Sequence, residues 1–279
     1  MTGNARALDN RAHPTPLEAL LRRDRMIVVA GLIVVIASAW TWLLLGAGTT
    51  MRPADTNSMP ADMGGMAMVM APAVWTAGYV ALMVSMWWIM MIAMMLPSAT
   101  PMLLLFARVN RQEKAGGRPY VPAAMFAAGY LAVWGGFSVI AAAAQWGLQR
   151  LGLMSPTMVT TSVVLGGAIL IAAGVWQLTP IKHVCLRHCR SPLSFLVSGW
   201  RAGRLGAFRM GLEHGAWCLG CCWFLMALLF VGGIMNLYWV AGLAAFVLLE
   251  KTVPMGNWLA KAAGAGLLLW GVALLGLAV

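Results

Sequence analysis

The sequence predicts an all-α fold, a polytopic membrane helical bundle of seven transmembrane helices with the N-terminus cytoplasmic and the C-terminus periplasmic. Three observations predict it. Hydrophobic residues make up 61% of the 279 and charged residues only 10%, with a mean hydropathy of +0.81, well beyond the composition of a soluble domain. Apolar runs recur along the chain at the roughly 20 residues that a hydrocarbon core of about 30 Å demands. The 19 lysines and arginines, which give a net charge of +11, sit almost wholly between those runs.

The spans follow in order. Residues 1–25 form a polar, Arg-rich cytoplasmic segment, and the first span, 26–46, has no small-residue cleavage site right after it, so it is read as an uncleaved helix. Residues 47–73 form a methionine-rich periplasmic loop. The uncharged run 74–106 is too long for one perpendicular helix at ~1.5 Å per residue; its span is placed at 74–100, with Pro97 and Pro101 kinking the end. The third and fourth spans lie near 121–145 and 159–181, each bounded by charge or proline. From Gly215 to Leu249 no residue is charged, and Gly232, Gly233 and Asn236 interrupt the run. A tight hairpin of two short spans, 212–232 and 234–250, accounts for it. The last span is 261–279, so the bundle occupies 26–279.

Basic residues flanking spans report topology. With the N-terminus inside, 17 lysines and arginines fall on the cytoplasmic side and only Arg52 and Arg150 fall opposite. Merging the fifth and sixth spans would put Lys251 and Lys261 outside, so the hairpin is required by the same count. A basic chain of this kind is explained by topology, and a nucleic-acid partner is not called for. The lipid bilayer is the expected partner and the bacterial inner membrane the expected location.

All five cysteines fall in two clusters, Cys185 with Cys189 and Cys218 with Cys221 and Cys222. In a helical fifth span, His214, Cys218, Cys221 and Cys222 share one face at i, i+4, i+7 and i+8. Gly211, Gly215 and Gly220 beside them permit close approach of another helix. Cys185, His188 and Cys189 stand at i, i+3, i+4 in a short turn between Pro180 and Pro192. Thiolates and imidazoles select Cu(I), zinc or iron–sulfur clusters over hard cations. A buried cysteine is also an ordinary small apolar residue, but five of five at the ends of two consecutive spans, with histidines interleaved, favour the metal reading. A Cys218-x-x-Cys221 redox pair is the enzymatic alternative.

Methionine is the second signal, with 22 copies. The periplasmic loop holds Met59, Met63, Met66, Met68 and Met70 besides Met51, at positions with no packing reason for a thioether. Thioethers prefer Cu(I) and need no deprotonation. In the second span Met83, Met86, Met90 and Met94 form one helical stripe, with Met91, Met95 and Met102 on the neighbouring one. Core packing explains such a stripe as well, yet it leads from the outer loop towards the cysteines. Copper as Cu(I) is therefore the expected cargo, ahead of zinc.

The remaining polar residues near the membrane read more simply. Glu250 and Lys251 suit local ion pairing, and Gln177 and Asn236 suit interhelical hydrogen bonds. Trp87, Trp88, Trp217 and Trp223 suit interface anchors. No Walker A loop, zincin motif or nucleophile elbow is present, and no residue is assigned a catalytic role.

Several ordered strings resemble one bacterial family. They are Met86-Trp87 through Met94-Met95-Leu96-Pro97-Ser98-Ala99 and Pro101, Gln177-Leu178-Thr179-Pro180-x-Lys182-x-x-Cys185-Leu-x-x-Cys189, Gly211-x-x-His214-Gly215-x-x-Cys218-x-Gly220-Cys221-Cys222-Trp223, and Met235-Asn236. The family is that of predicted metal-binding integral membrane proteins, a domain of unknown function with CLxxC and CxGCCW motifs. The resemblance spans roughly residues 75–279 and leaves the outer methionine loop outside. It implies metal binding at Cys185, Cys189, His214, Cys218, Cys221 and Cys222. The functional expectation is a soft-metal membrane protein for Cu(I) transport or for copper delivery to a membrane enzyme. A membrane thiol-disulfide oxidoreductase and an accessory subunit of a larger membrane complex are the two alternatives.

Overall fold

The computed structural model describes residues 16–47, 74–115, 121–155 and 158–276. Helices make up nearly all of it, and no strand occurs among the described residues beyond an isolated bridge between Met154 and Thr160. Ten helices follow in chain order: α1 (Pro16–Leu44), α2 (Ala77–Ala115), α3 (Ala123–Arg150), α4 (Val163–Leu178), α5 (Pro180–Arg190), α6 (Pro192–Gly199), α7 (Gly203–Ala227), α8 (Leu229–Gly232), α9 (Leu237–Thr252) and α10 (Gly256–Gly276). Among the described residues five segments are long and apolar enough to cross a membrane, and a sixth is gained if α4 and α5, bent by 65°, form one broken span. At ~1.5 Å per residue α9 reaches about 24 Å, short of the ~30 Å core. The fold is compatible with a multi-pass membrane protein.

Local chemistry sets the breaks. Thr179 both caps α5, through its hydroxyl and the Lys182 N–H at 3.3 Å, and closes α4. Pro180 at the first position of α5 has no N–H to leave unpaired there. Charge and proline read as loop between 182 and 212, but that stretch folds into α5, α6 and the start of α7. Asn236 caps α9 through its Oδ1 and the Trp239 N–H at 3.3 Å, so it serves its own helix rather than bridging two. Gln177 also departs from the expected interhelical bond, since neither of its buried amide atoms has a hydrogen-bond partner.

The packing places α2 at the centre, against α1, α3 and α9, while α3 pairs with α7 and α4 with α10. Glycine makes the α3–α7 pair close. A Cβ on Gly211 would fall 2.0 Å from the Phe126 carbonyl oxygen, and one on Gly129 would fall 2.1 Å from that of Phe208. Gly211 against Phe126 and Gly215 against Val133 pair rising residue numbers on both helices, so α3 and α7 run parallel. Gly167 against Gly271 and Gly174 against Gly264 make α4 and α10 antiparallel.

Trp87, expected at the interface, is fully buried, stacks near Phe230 and donates to Gln145 Oε1 at 2.8 Å. A buried indole needs a partner for its N–H, and the Gln145 amide supplies one. Trp88 and Trp223 stay exposed, as an anchor would. Bulky apolar residues such as Ile33, Ile140, Val164, Leu269 and Val272 face outward, as lipid contact requires.

Candidate metal centre

Helix α7 turns one face into the bundle, and that face carries His214, Cys218, Cys221 and Cys222, all buried. The thiols sit midway along the helix. Cys221 and Cys222 both donate to the Cys218 carbonyl at 3.0 Å, the back-bonding that three- and four-residue spacing permits. Cys222 Sγ also lies 3.9 Å from Met95 Sδ of α2. Cys218 Sγ meets the Tyr130 hydroxyl of α3 at 3.1 Å and the Lys251 ammonium of α9 at 2.9 Å.

The other cysteine cluster arrives from α5. Cys189 interacts through its side chain with Cys218 and Cys221, which makes four thiols from two helices neighbours. Cys185 packs on Gly220, where an added Cβ would fall 3.0 Å from its sulfur, and it lies within electrostatic reach of Cys221. All five cysteines are free. Among the described residues no three His, Cys, Asp or Glu side chains are already arranged around a common point as a metal cage. Cys221 and Cys222 are instead both turned onto the Cys218 carbonyl. The donor set itself, four thiols and a thioether, fits a soft metal ion.

The histidines separate. His214 is buried among Phe126, Tyr130 and Phe195, with ring centroids at 5.9, 5.8 and 5.7 Å, and its Nδ1 has no hydrogen-bond partner. It lies one turn from Cys218 and within electrostatic reach of it. His188 is exposed, stacked on Trp217 at 4.1 Å and bonded through Nδ1 to the Val184 carbonyl at 2.9 Å. It faces away from the thiols that surround its neighbour Cys189.

The stripe of Met83, Met86, Met90 and Met94 is fully buried in α2, with the Met83 sulfur 3.5 Å from the Gln145 amide. Met95, on the neighbouring stripe, is the methionine that touches a thiol. The loop methionines Met59, Met63, Met66, Met68 and Met70 lie outside the described residues.

Two charged residues line the site differently from the expected local pair. Glu250 forms a fully buried ion pair with Lys182 of α5, and Lys251 turns to Cys218 and to the Ser98 hydroxyl, 3.2 Å away. Arg190 closes the same end by donating to the Val253 and Pro254 carbonyls at 2.7 and 2.9 Å. Lys251 and Tyr130 lie outside the motifs, and Ser98 stands in one without an assigned role. Lys251 carried a signal, as part of the first charged pair after a long uncharged run.

No curated protein and no solved structure matches the chain. A family model described as a copper chaperone, PpoB2, matches residues 84–274, a stretch that holds every cysteine, Met95 and Lys251. With a match over more than half its length, the chain belongs to the PpoB2 copper chaperone family.

Proposed function

We propose that this chain is a membrane-embedded Cu(I) chaperone that holds the ion among Cys189, Cys218, Cys221, Cys222 and Met95 and delivers it to a copper enzyme in the bacterial inner membrane. The observation that carries this reading is the meeting of thiols from α5 and α7 with the Met95 thioether of α2. Soft ligands of this kind bind Cu(I) at two or three positions and discriminate against magnesium or calcium. Loading swings Cys221 and Cys222 off the Cys218 carbonyl, and the vacated carbonyl then accepts only its helical partner. His214, one turn inward with an unpaired Nδ1, is the next donor along the same face. Cys185, packed on Gly220 beside Cys221, is a reserve thiol at the rim.

The route to the site is the finer part of the proposal. Met83, Met86, Met90 and Met94 lead along α2 from the end that follows the methionine-rich loop 47–73 to the residue next to Met95. That loop captures copper on the periplasmic side and the stripe guides it in. Alternating passes make α3 and α7 parallel and α4 and α10 antiparallel, in keeping with their glycine contacts, and the cytoplasmic N-terminus rests on the distribution of lysine and arginine. The shortness of α9 is offset by its place against α2, inside the bundle.

The test is metal analysis of the full-length protein purified in detergent after growth with copper. Stoichiometric copper is expected, and replacing Cys218, Cys221 and Cys222 together by serine removes most of it. Equal copper in the triple variant and the parent would sink the reading.

A further inference from the structure

The charges around the thiols comprise one closed pair and one open charge. Lys182 and Glu250 neutralise each other with no exposure of either side chain, so they add no net charge to the site. Lys251 is different. Its ammonium is 2.9 Å from Cys218 Sγ and 3.2 Å from Ser98 Oγ, it faces Cys221, Cys222 and Tyr130 as well, and among the described residues no carboxylate forms an ion pair with it. Lys251 is half-buried, and an ammonium drawn out of water favours an anionic partner. Among the described residues, the groups that hydrogen-bond to it are a hydroxyl and a sulfur.

Metal chemistry supplies the missing anion. When Cu⁺ joins two cysteine sulfurs, whatever protons those sulfurs hold leave to bulk water, copper keeps its oxidation state, and the product Cu(SR)₂⁻ carries one excess negative charge. That charge equals, with opposite sign, the one Lys251 brings. We propose that Lys251 is the resident counterion of the copper–thiolate complex: it stands beside Cys218 and compensates the bound complex when the ion arrives. This rests on the copper reading above and adds to it a residue that binds no metal itself. A lysine suits the role because its ammonium is a point charge on a flexible stem, able to follow the sulfur as it reorients.

The full-length protein in detergent micelles, kept anaerobic with a thiol-free reductant, is titrated with a chromophoric Cu(I) chelator, and the ultraviolet thiolate–Cu(I) band is recorded alongside. Lys251→Met is expected to weaken Cu(I) retention by about a hundredfold or more, the scale of a unit charge lost at ~4 Å from a buried anion. Lys251→Arg keeps the charge and is expected to stay within roughly tenfold of the parent. Ser98→Ala, which removes the other bond but not the charge, is expected to stay within about threefold. In a Cys218→Ser background, Lys251→Met is expected to cost several-fold less than in the parent, because its anionic partner is gone. Lys251→Gln, neutral but polar, carries the same expectation as Lys251→Met and replaces it if the latter does not fold. Unchanged Cu(I) retention in the neutral variants, or a loss undiminished by Cys218→Ser, overturns the counterion while leaving the copper reading intact. A parent protein that retains no Cu(I) overturns both.

Discussion

Gly211→Ala is the sharpest probe of how the helices deliver the thiols. The added Cβ would sit 2.0 Å from the Phe126 carbonyl oxygen and 3.0 Å from the Tyr130 backbone nitrogen. Ordinary contact for that carbon is no closer than about 3.4 Å, and the obstacle is backbone of α3, which cannot turn aside as a side chain would. Relief therefore needs α3 and α7 to part by more than 1 Å. The Tyr130 hydroxyl bonds to Cys218 Sγ at 3.1 Å across this interface, so parting on that scale breaks it. Overpacking of this severity costs at least the ~1–3 kcal/mol of an ordinary overpacked core, and at about 2–4 °C per kcal/mol the midpoint falls by roughly 5 °C or more. The assay is thermal unfolding in detergent followed by a thiol-reactive fluorophore, which reports release of the buried cysteines. Gly147→Ala is the control, with open space around its position; it stabilises by about 0.4–1 kcal/mol through the unfolded chain. Equal midpoints for Gly211→Ala and Gly147→Ala would refute the close packing of α3 on α7.

Three further outcomes follow from the same geometry. Met95→Leu conserves volume and costs under ~1.5 kcal/mol of stability, but it removes the thioether beside Cys222 and lowers Cu(I) affinity by roughly tenfold, measured by chelator competition. His188→Ala leaves the bound copper unchanged in metal analysis, since that ring stacks on Trp217 outside the thiols. Lys182→Met strands Glu250 in the interior and lowers stability by about 3–5 kcal/mol, and adding Glu250→Gln recovers part of it; the double variant is compared with both singles by the same unfolding assay.

The membrane-helical character was legible because lipid imposes it on composition: uncharged runs must be helices, and the charges between them mark loops. The break at Thr179–Pro180 and helices α5 and α6 were less legible. Proline and charge normally end a helix, yet at a first position proline starts one, and Pro180 and Pro192 each do so. The common face of His214, Cys218, Cys221 and Cys222 followed from periodicity alone, whereas the approach of Cys189 depends on the 65° bend between α4 and α5. No local pattern encodes that angle.

Neighbouring residues show where periodicity had more to give. Glu250 and Lys251 look like a pair in sequence, but consecutive residues on a helix point about 100° apart and do not face each other. The same rule divides His188 from Cys189 and Met94 from Met95. In each couple the structure sends one member to a different neighbour: Glu250 to Lys182 and Lys251 to Cys218, His188 to Trp217 and Cys189 to the thiols, Met95 to Cys222. Adjacency in sequence thus does not by itself give a shared role within a helix, although Cys221 and Cys222 do turn to the same carbonyl. What remains beyond one dimension is which of the two directions meets a partner, because that depends on the neighbouring helix. At Cys218 three helices settle it, with Tyr130 from α3 and Lys251 from α9 converging on one sulfur of α7.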